Sequence, residues 1–261
     1  MIVLNIGHNA KTPRRRGLYL LPNLFTTAAL FAGFYAIVAS IQGGFHEAAV
    51  SVFIAMLLDG LDGRVARLTN TETDFGAEYD SLSDMVSFGV APALVMYQWS
   101  LLALGKLGWL AAFVYTSAAA LRLARFNTQV GTADKQYFQG LPSPSAAALL
   151  AGLVWVGADS GLTDGRFLAP LALLLTVAAA GLMVSNVRYH SLKTIDFRGR
   201  VPFVRGLLVV PIFVLVSLSP PVSLFVAFLI YASTGPVMTL LQIRRKRAAR
   251  RGAGEGPNPE A

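Results

Sequence analysis

Four aspartates, Asp59, Asp62, Asp80 and Asp84, stand where two apolar runs meet a short polar connection. The stretch 57–84 holds seven of the chain's 14 carboxylates. Asp59, Asp62, Gly63 and Ala66 are spaced i, i+3, i+4, i+7, so a helix carries them on one face. Asp80 and Asp84 are i, i+4 and share a face of the following helix. Carboxylates gathered this closely raise one another's pKa values, and burial adds to the cost. Hard divalent cations with oxygen ligands are the natural remedy, and four acids suit two ions better than one. Gly63 and Ala66 have almost no side chain and leave a bulky polyphosphate free to approach the helix, where Arg67 can donate to a phosphate oxygen. The alternative is a solvated loop, and Glu72, Asp74 and Glu78 read that way.

The elements that must position these acids are membrane helices. Of 261 residues 54% are hydrophobic and 14% charged, against about 25% charged in a soluble domain. A bilayer accommodates that much apolar surface and a soluble core does not. Apolar runs at 20–41, 46–61, 82–103, 107–121, 145–158, 167–185, 203–219 and 221–241 predict an all-α, polytopic transmembrane bundle of about eight helices. With both termini in the cytoplasm, all but Lys106 and Arg166 of the 22 Lys and Arg residues fall on the cytoplasmic side, as the positive-inside rule requires. That distribution explains the net charge of +8 without nucleic acid. The absence of cysteine excludes disulfides, thiolate metal sites and cysteine nucleophiles. His8, His46 and His190 are too scattered for a zinc site. The N-terminal KTPRRR and its apolar run read as a retained first helix, not a cleaved signal. The organisation expected is one integral-membrane catalytic domain over 1–243, followed by a basic, then disordered, cytoplasmic tail over 244–261.

The pattern Asp59-x-x-Asp62-Gly63-x-x-Ala66-Arg67, eight residues, Gly76, three residues, Asp80, three residues, Asp84 resembles the signature of the CDP-alcohol phosphatidyltransferases at all eight positions. Members of that family move a phosphatidyl group from CDP-diacylglycerol to an alcohol and release CMP. The resemblance implies that Asp59, Asp62, Asp80 and Asp84 hold two divalent cations, Mg²⁺ or Mn²⁺, and that Asp84 is also the general base. It implies that Gly63, Ala66, Arg67 and Gly76 line the CDP site, and it adds Asn23 from the Pro22-Asn23 pattern beside Thr26. It also implies a homodimer. The compact single-domain form reads as a bacterial inner-membrane enzyme, and diacylglycerol tails put the active site at the cytoplasmic face, where lipid enters sideways and CDP remains in reach of solvent.

The signature does not select the alcohol. "LRLARFN" at 121–127, "FQGLPSPSAA" at 138–147 and "SNVRY" at 185–189 resemble the phosphatidylserine synthase branch, which implies L-serine as acceptor. Arg122, Arg125 and Arg188 are the cations available for a phosphate or a serine carboxylate; as readily, they anchor helix ends. Asn127 and Asn186 read as helix caps, and Ser143-Pro144 as N-cap and first position of a helix. One rival keeps the chemistry with glycerol 3-phosphate or an inositol phosphate as acceptor. Another is a cation-coupled transporter, since acids in membrane helices often mark ion pathways. The acids cluster near one face, not at the midplane, and no duplicated half is visible, which weighs against transport. A non-catalytic lipid-binding protein is the third.

Overall fold

An apolar run in hydrocarbon must close its backbone hydrogen bonds internally, and a helix is the open-chain solution. The computed structural model describes residues 20–69, 71, 73–128, 137–162, 164–190, 214 and 216–253. Its helices are α1 (Leu20–Ile41), α2 (Phe45–Thr69), α3 (Asp74–Asp84), α4 (Ala91–Trp99), α5 (Lys106–Thr128), α6 (Ser143–Asp159), α7 (Ala169–Val184) and α8 (Pro220–Ala253). A π-helical turn, Met85–Val90, joins α3 to α4. Among the described residues, four stretches are long and apolar enough to cross a membrane: Pro22–Ile41, Lys106–Thr128, Gly165–Val184 and Pro220–Leu241. α6 is apolar but shorter. The bundle is all-α and transmembrane, as expected. The span expected at 203–219 lies for the most part outside the described residues, as do the N-terminal KTPRRR and the end of the tail. The basic segment from Arg244 does not begin a separate element, because α8 continues through it to Ala253.

Small side chains set the helix spacing. Ala36, Ala48, Ala49, Ala55, Ala91, Ala146, Ala147 and Ala151 are all inaccessible to solvent, and such residues let membrane helices approach closely. α1 packs along α2, α2 and α4 pack on α6, α5 packs on α7, and α8 covers α6. Large apolar side chains point outward instead: Phe31, Phe34, Phe113, Leu174 and Ile230 are exposed, which suits a surface facing lipid. At the end away from the aspartates, Ser100 Oγ donates to Gly165 O at 2.7 Å and Trp99 Nε1 to Leu162 O at 3.2 Å. A short antiparallel ribbon, β1 (Tyr137–Gln139) with β2 (Arg188–His190), is the one strand pairing among the described residues. Tyr189 of this ribbon donates to Ala232 O of α8 at 2.9 Å. A Cβ on Gly235 would lie 2.4 Å from the Tyr189 ring, so α8 needs a glycine where the ribbon docks.

Candidate active site

The four aspartates come from the end of α2 and from α3. α2 runs eight residues past its apolar stretch, and Thr73 then caps α3, its Oγ1 accepting from Gly76 N–H at 3.0 Å. This turn folds α3 back beside α1. Ser83 Oγ donates to Thr26 O at 3.1 Å, and Thr27 and Tyr79 hydroxyls lie 2.9 Å apart. One carboxylate oxygen from each of Asp59, Asp62 and Asp80 falls within 4.8 Å of the others. The Asp84 carboxyl lies beside the Asp59 side chain, an approach two ionised carboxylates make only with a proton or a cation between them. All four candidate ligands are therefore neighbours, three of them in one group and Asp84 beside Asp59.

The electrostatics match that crowding. Burial raises the Asp62 carboxyl above its ordinary 3.8, opposed by hydrogen bonds from Thr26 and the Gly63 N–H and by the Arg67 charge. Thr26 Oγ1 lies 2.8 Å from Asp62 Oδ2 and 3.1 Å from Pro22 O; the shorter, charge-assisted partner takes its single hydrogen. Burial, then the charges of Asp62 and Asp59, push Asp80 up to about 7. Asp80 Oδ1 is buried with no hydrogen-bond partner among the described residues. A buried, unpartnered carboxylate oxygen is costly, and a cation held by the three oxygens removes that cost. The donor set is all carboxylate oxygen, which suits Mg²⁺ or Mn²⁺ over softer metals. The residues fit the ion.

The nucleotide candidates lie on the same end. Beyond Gly63, a Cβ would meet only Arg67 Nη1 and Nη2, at 3.7 and 3.8 Å, and beyond Gly60 nothing within 4 Å. That face of α2 is open, with the exposed Arg67 guanidinium over it. Ala66 is half-buried, and its carbonyl accepts from Thr71 N–H. Gly76 has a packing reason of its own: a Cβ there would sit 3.0 Å from the capping Thr73 Oγ1 and 3.5 Å from Asn23 Oδ1. Asn23 therefore reaches the start of α3.

The three arginines divide. Arg122 of α5 turns inward, donating from Nη1 to Ser143 Oγ at 2.7 Å, with Asp84 and Tyr231 as its charged and polar neighbours. Its buried Nε has no partner among the described residues. Arg125 instead clasps the ribbon, donating to Asn186 Oδ1 at 2.7 Å and to Gln139 Oε1. Arg188 contributes backbone to β2, opposite Gln139. Two capping expectations are corrected. Pro142 occupies the N-cap of α6, and Ser143 is its first residue, its hydroxyl turned to Arg122. Asn127 and Asn186 bond across elements instead of capping, Asn127 Nδ2 donating to Ser81 Oγ at 3.1 Å. These bonds, and the partnership of Thr26 with Asp62, left no signal in sequence spacing.

Residues 19–195 match the family model described as CDP-alcohol phosphatidyltransferase, a region holding every element from α1 to β2. Among similar curated proteins, one from Helicobacter pylori (strain ATCC 700392 / 26695) is named CDP-diacylglycerol--serine O-phosphatidyltransferase. It is 41% identical over 180 residues, covering 69% of this chain and 76% of its own length. A Mycobacterium tuberculosis (strain ATCC 25618 / H37Rv) protein of the same name is 39% identical over 166 residues, 59% of this chain and 57% of its own. An archaetidylserine synthase of Methanothermobacter thermautotrophicus is 34% identical over 171 residues, 65% of this chain and 69% of its own.

Proposed function

The chain belongs to the CDP-alcohol phosphatidyltransferase family, and on that premise we propose that it transfers the phosphatidyl group of CDP-diacylglycerol to L-serine, giving phosphatidylserine and CMP. The observation that carries the reading is the convergence of Asp59, Asp62 and Asp80 oxygens within 4.8 Å, with Asp84 against Asp59, on the signature of that family. The names of the similar proteins support serine as acceptor.

Asp59, Asp62, Asp80 and Asp84 would hold two divalent cations, Mg²⁺ or Mn²⁺. Such ions, when bound, neutralise phosphoryl charge and stabilise the departing phosphate oxygen. The chain's own residues do the rest. The open face at Gly60 and Gly63 admits the diphosphate against α2, and Arg67 donates to it. Asn23 and Gly76 border the same site. Asp84 accepts the proton of the serine hydroxyl as its oxygen attacks the phosphorus bearing diacylglycerol. The bond from that phosphorus to the oxygen of CMP breaks, and CMP leaves. Arg122, facing Asp84, receives the serine carboxylate. Arg125 acts one step further out, reaching from α5 onto the ribbon, and Arg188 is a further cation for the acceptor or a phosphate. The catalytic unit is residues 1–243, with 244–261 an appendage, and the protein works as a homodimer in the inner membrane with this site toward the cytoplasm.

The test uses purified protein in mixed micelles with CDP-diacylglycerol and Mg²⁺ or Mn²⁺. CMP release is followed with serine, glycerol 3-phosphate, an inositol phosphate or no acceptor. Release that requires serine and metal supports the reading, and release with another acceptor keeps the family and overturns the substrate. Metal-dependent release in no condition, from folded protein, overturns both.

A further inference from the structure

The helix carrying Asp80 and Asp84 does not run evenly into the membrane. It is α-helical over α3, widens into the π-turn Met85–Val90 immediately after Asp84, and is α-helical again over α4. Pro92 gives the cause. In an unbroken α-helix the nitrogen of residue 92 would donate to the carbonyl of Phe88, and proline has no hydrogen to give. The ladder slips by one residue, with Ala91 N–H reaching Val86 O. Phe88 O is thus left without its α-helical donor inside a residue that is 0% exposed.

The missing donor comes from α5. Tyr115, also 0% exposed, donates its hydroxyl to Phe88 O at 3.1 Å. Thr116 Oγ1 lies 3.4 Å from Gly89 O and 3.0 Å from Ala112 O. From the other side, Ser87 Oγ donates to Ala29 O of α1 at 3.1 Å. Gly33 makes that approach feasible, since a Cβ on it would lie 2.5 Å from Ser87 Oγ. The π-turn is therefore held on two sides by side-chain bonds.

One inserted residue rotates everything before it by about 100° relative to α4, the turn per residue of an α-helix. The residues so rotated include Asp80 and Asp84. We infer that Tyr115 is a positioning residue for the aspartate cluster: its hydroxyl keeps the π-turn open, and the π-turn sets the rotation of α3 that brings Asp80 to Asp59 and Asp62. The inference rests on the reading that this cluster holds metal, and its test is read without substrate.

Mn²⁺ binding is measured by electron paramagnetic resonance in detergent micelles, beside the thermal midpoint in EDTA, for wild type, Tyr115→Phe, Thr116→Val and Ser100→Ala. The last removes a buried bond at the far end of the same helix, Ser100 Oγ to Gly165 O. Tyr115→Phe is expected to weaken Mn²⁺ binding about 10-fold, the scale of lost outer-shell support in metal sites. Thr116→Val is expected to weaken it about threefold, its hydroxyl being shared. Ser100→Ala should lower the midpoint while leaving Mn²⁺ affinity at the wild-type value. Unchanged affinity in Tyr115→Phe, or an equal loss in Ser100→Ala, overturns the inference. Should Tyr115→Phe fail to fold, Thr116→Val decides, and wild-type affinity there overturns it. A wild type that binds no Mn²⁺ removes the metal reading and this inference together. A wild type that binds Mn²⁺ and releases no CMP overturns the proposed reaction, and the Tyr115 result then stands by itself.

Discussion

Replacing Asp80 by asparagine should stabilise the metal-free protein while abolishing its response to metal. Asp80 is pushed up to about 7 by burial and by the Asp62 and Asp59 charges, from an ordinary 3.8. At about 1.4 kcal/mol per pH unit, its ionised form costs the fold on the order of 4 kcal/mol. Asp80 is partly exposed, and solvent screening reduces that to about 2 kcal/mol. The folded carboxyl holds its proton to higher pH than the unfolded one. The metal-free fold therefore loses stability as pH rises from about 4 to 7, and the full penalty stands above 7. Asparagine has the same shape and no charge to strand. In EDTA at pH 8, Asp80→Asn is expected to melt about 4–8 °C above wild type, using about 2–4 °C per kcal/mol for a chain of this size. At pH 4 the difference should vanish. Added Mn²⁺ should raise the wild-type midpoint and leave the variant where it was, and CMP release by the variant should fall at least about 100-fold. Scanning calorimetry or intrinsic fluorescence in detergent reads all of these except CMP release. A variant less stable than wild type in EDTA at pH 8, or a difference that ignores pH, would refute the reasoning.

Other substitutions separate the fold from its chemistry. Gly63→Ala meets only the flexible end of Arg67, so stability should hold or rise by up to about 1 kcal/mol from better helix propensity. The KM for CDP-diacylglycerol in the same variant should rise, as steady-state kinetics in mixed micelles would show. Thr26→Val removes the 2.8 Å bond to Asp62, and Mn²⁺ titration should find binding about 10-fold weaker in a folded protein. Arg122→Lys keeps a charge and loses the forked donors that reach Ser143 and face Asp84. Its serine KM should rise at least about 10-fold, with the KM for CDP-diacylglycerol unchanged, in assays that vary each substrate separately.

Hydropathy located the helices well where membrane is the environment. The run 20–41 coincides with α1 and 107–121 lies inside α5, because burial in lipid rewards the apolar residues directly. It failed at polar ends. α2 continues to Thr69 and α3 begins at Asp74, since these turns are held by a cap and by the aspartate face, which hydropathy does not register. The carboxylate face was legible because i, i+4 spacing is local. Thr26 with Asp62, Arg122 with Ser143 and Tyr115 with Phe88 join residues 36, 21 and 27 positions apart. Spacing along one helix carries no trace of them. The ribbon was illegible for a similar reason, being two three-residue strands whose pairing is entirely long-range. The run 82–103 reads as one helix by hydropathy, which registers neither the π-turn that Pro92 imposes nor the hydroxyl that answers it.

The measurement that bears most directly on the central claim follows one oxygen atom. Purified protein in micelles receives CDP-diacylglycerol, Mn²⁺ and L-serine labelled with ¹⁸O in its hydroxyl, and lipid and CMP are weighed by mass spectrometry. The account predicts one ¹⁸O in each phosphatidylserine formed, none in CMP, and neither product from Asp84→Asn. Phosphatidylserine without the label, or CMP released at the same rate when serine is absent, would contradict attack by the serine hydroxyl at this site.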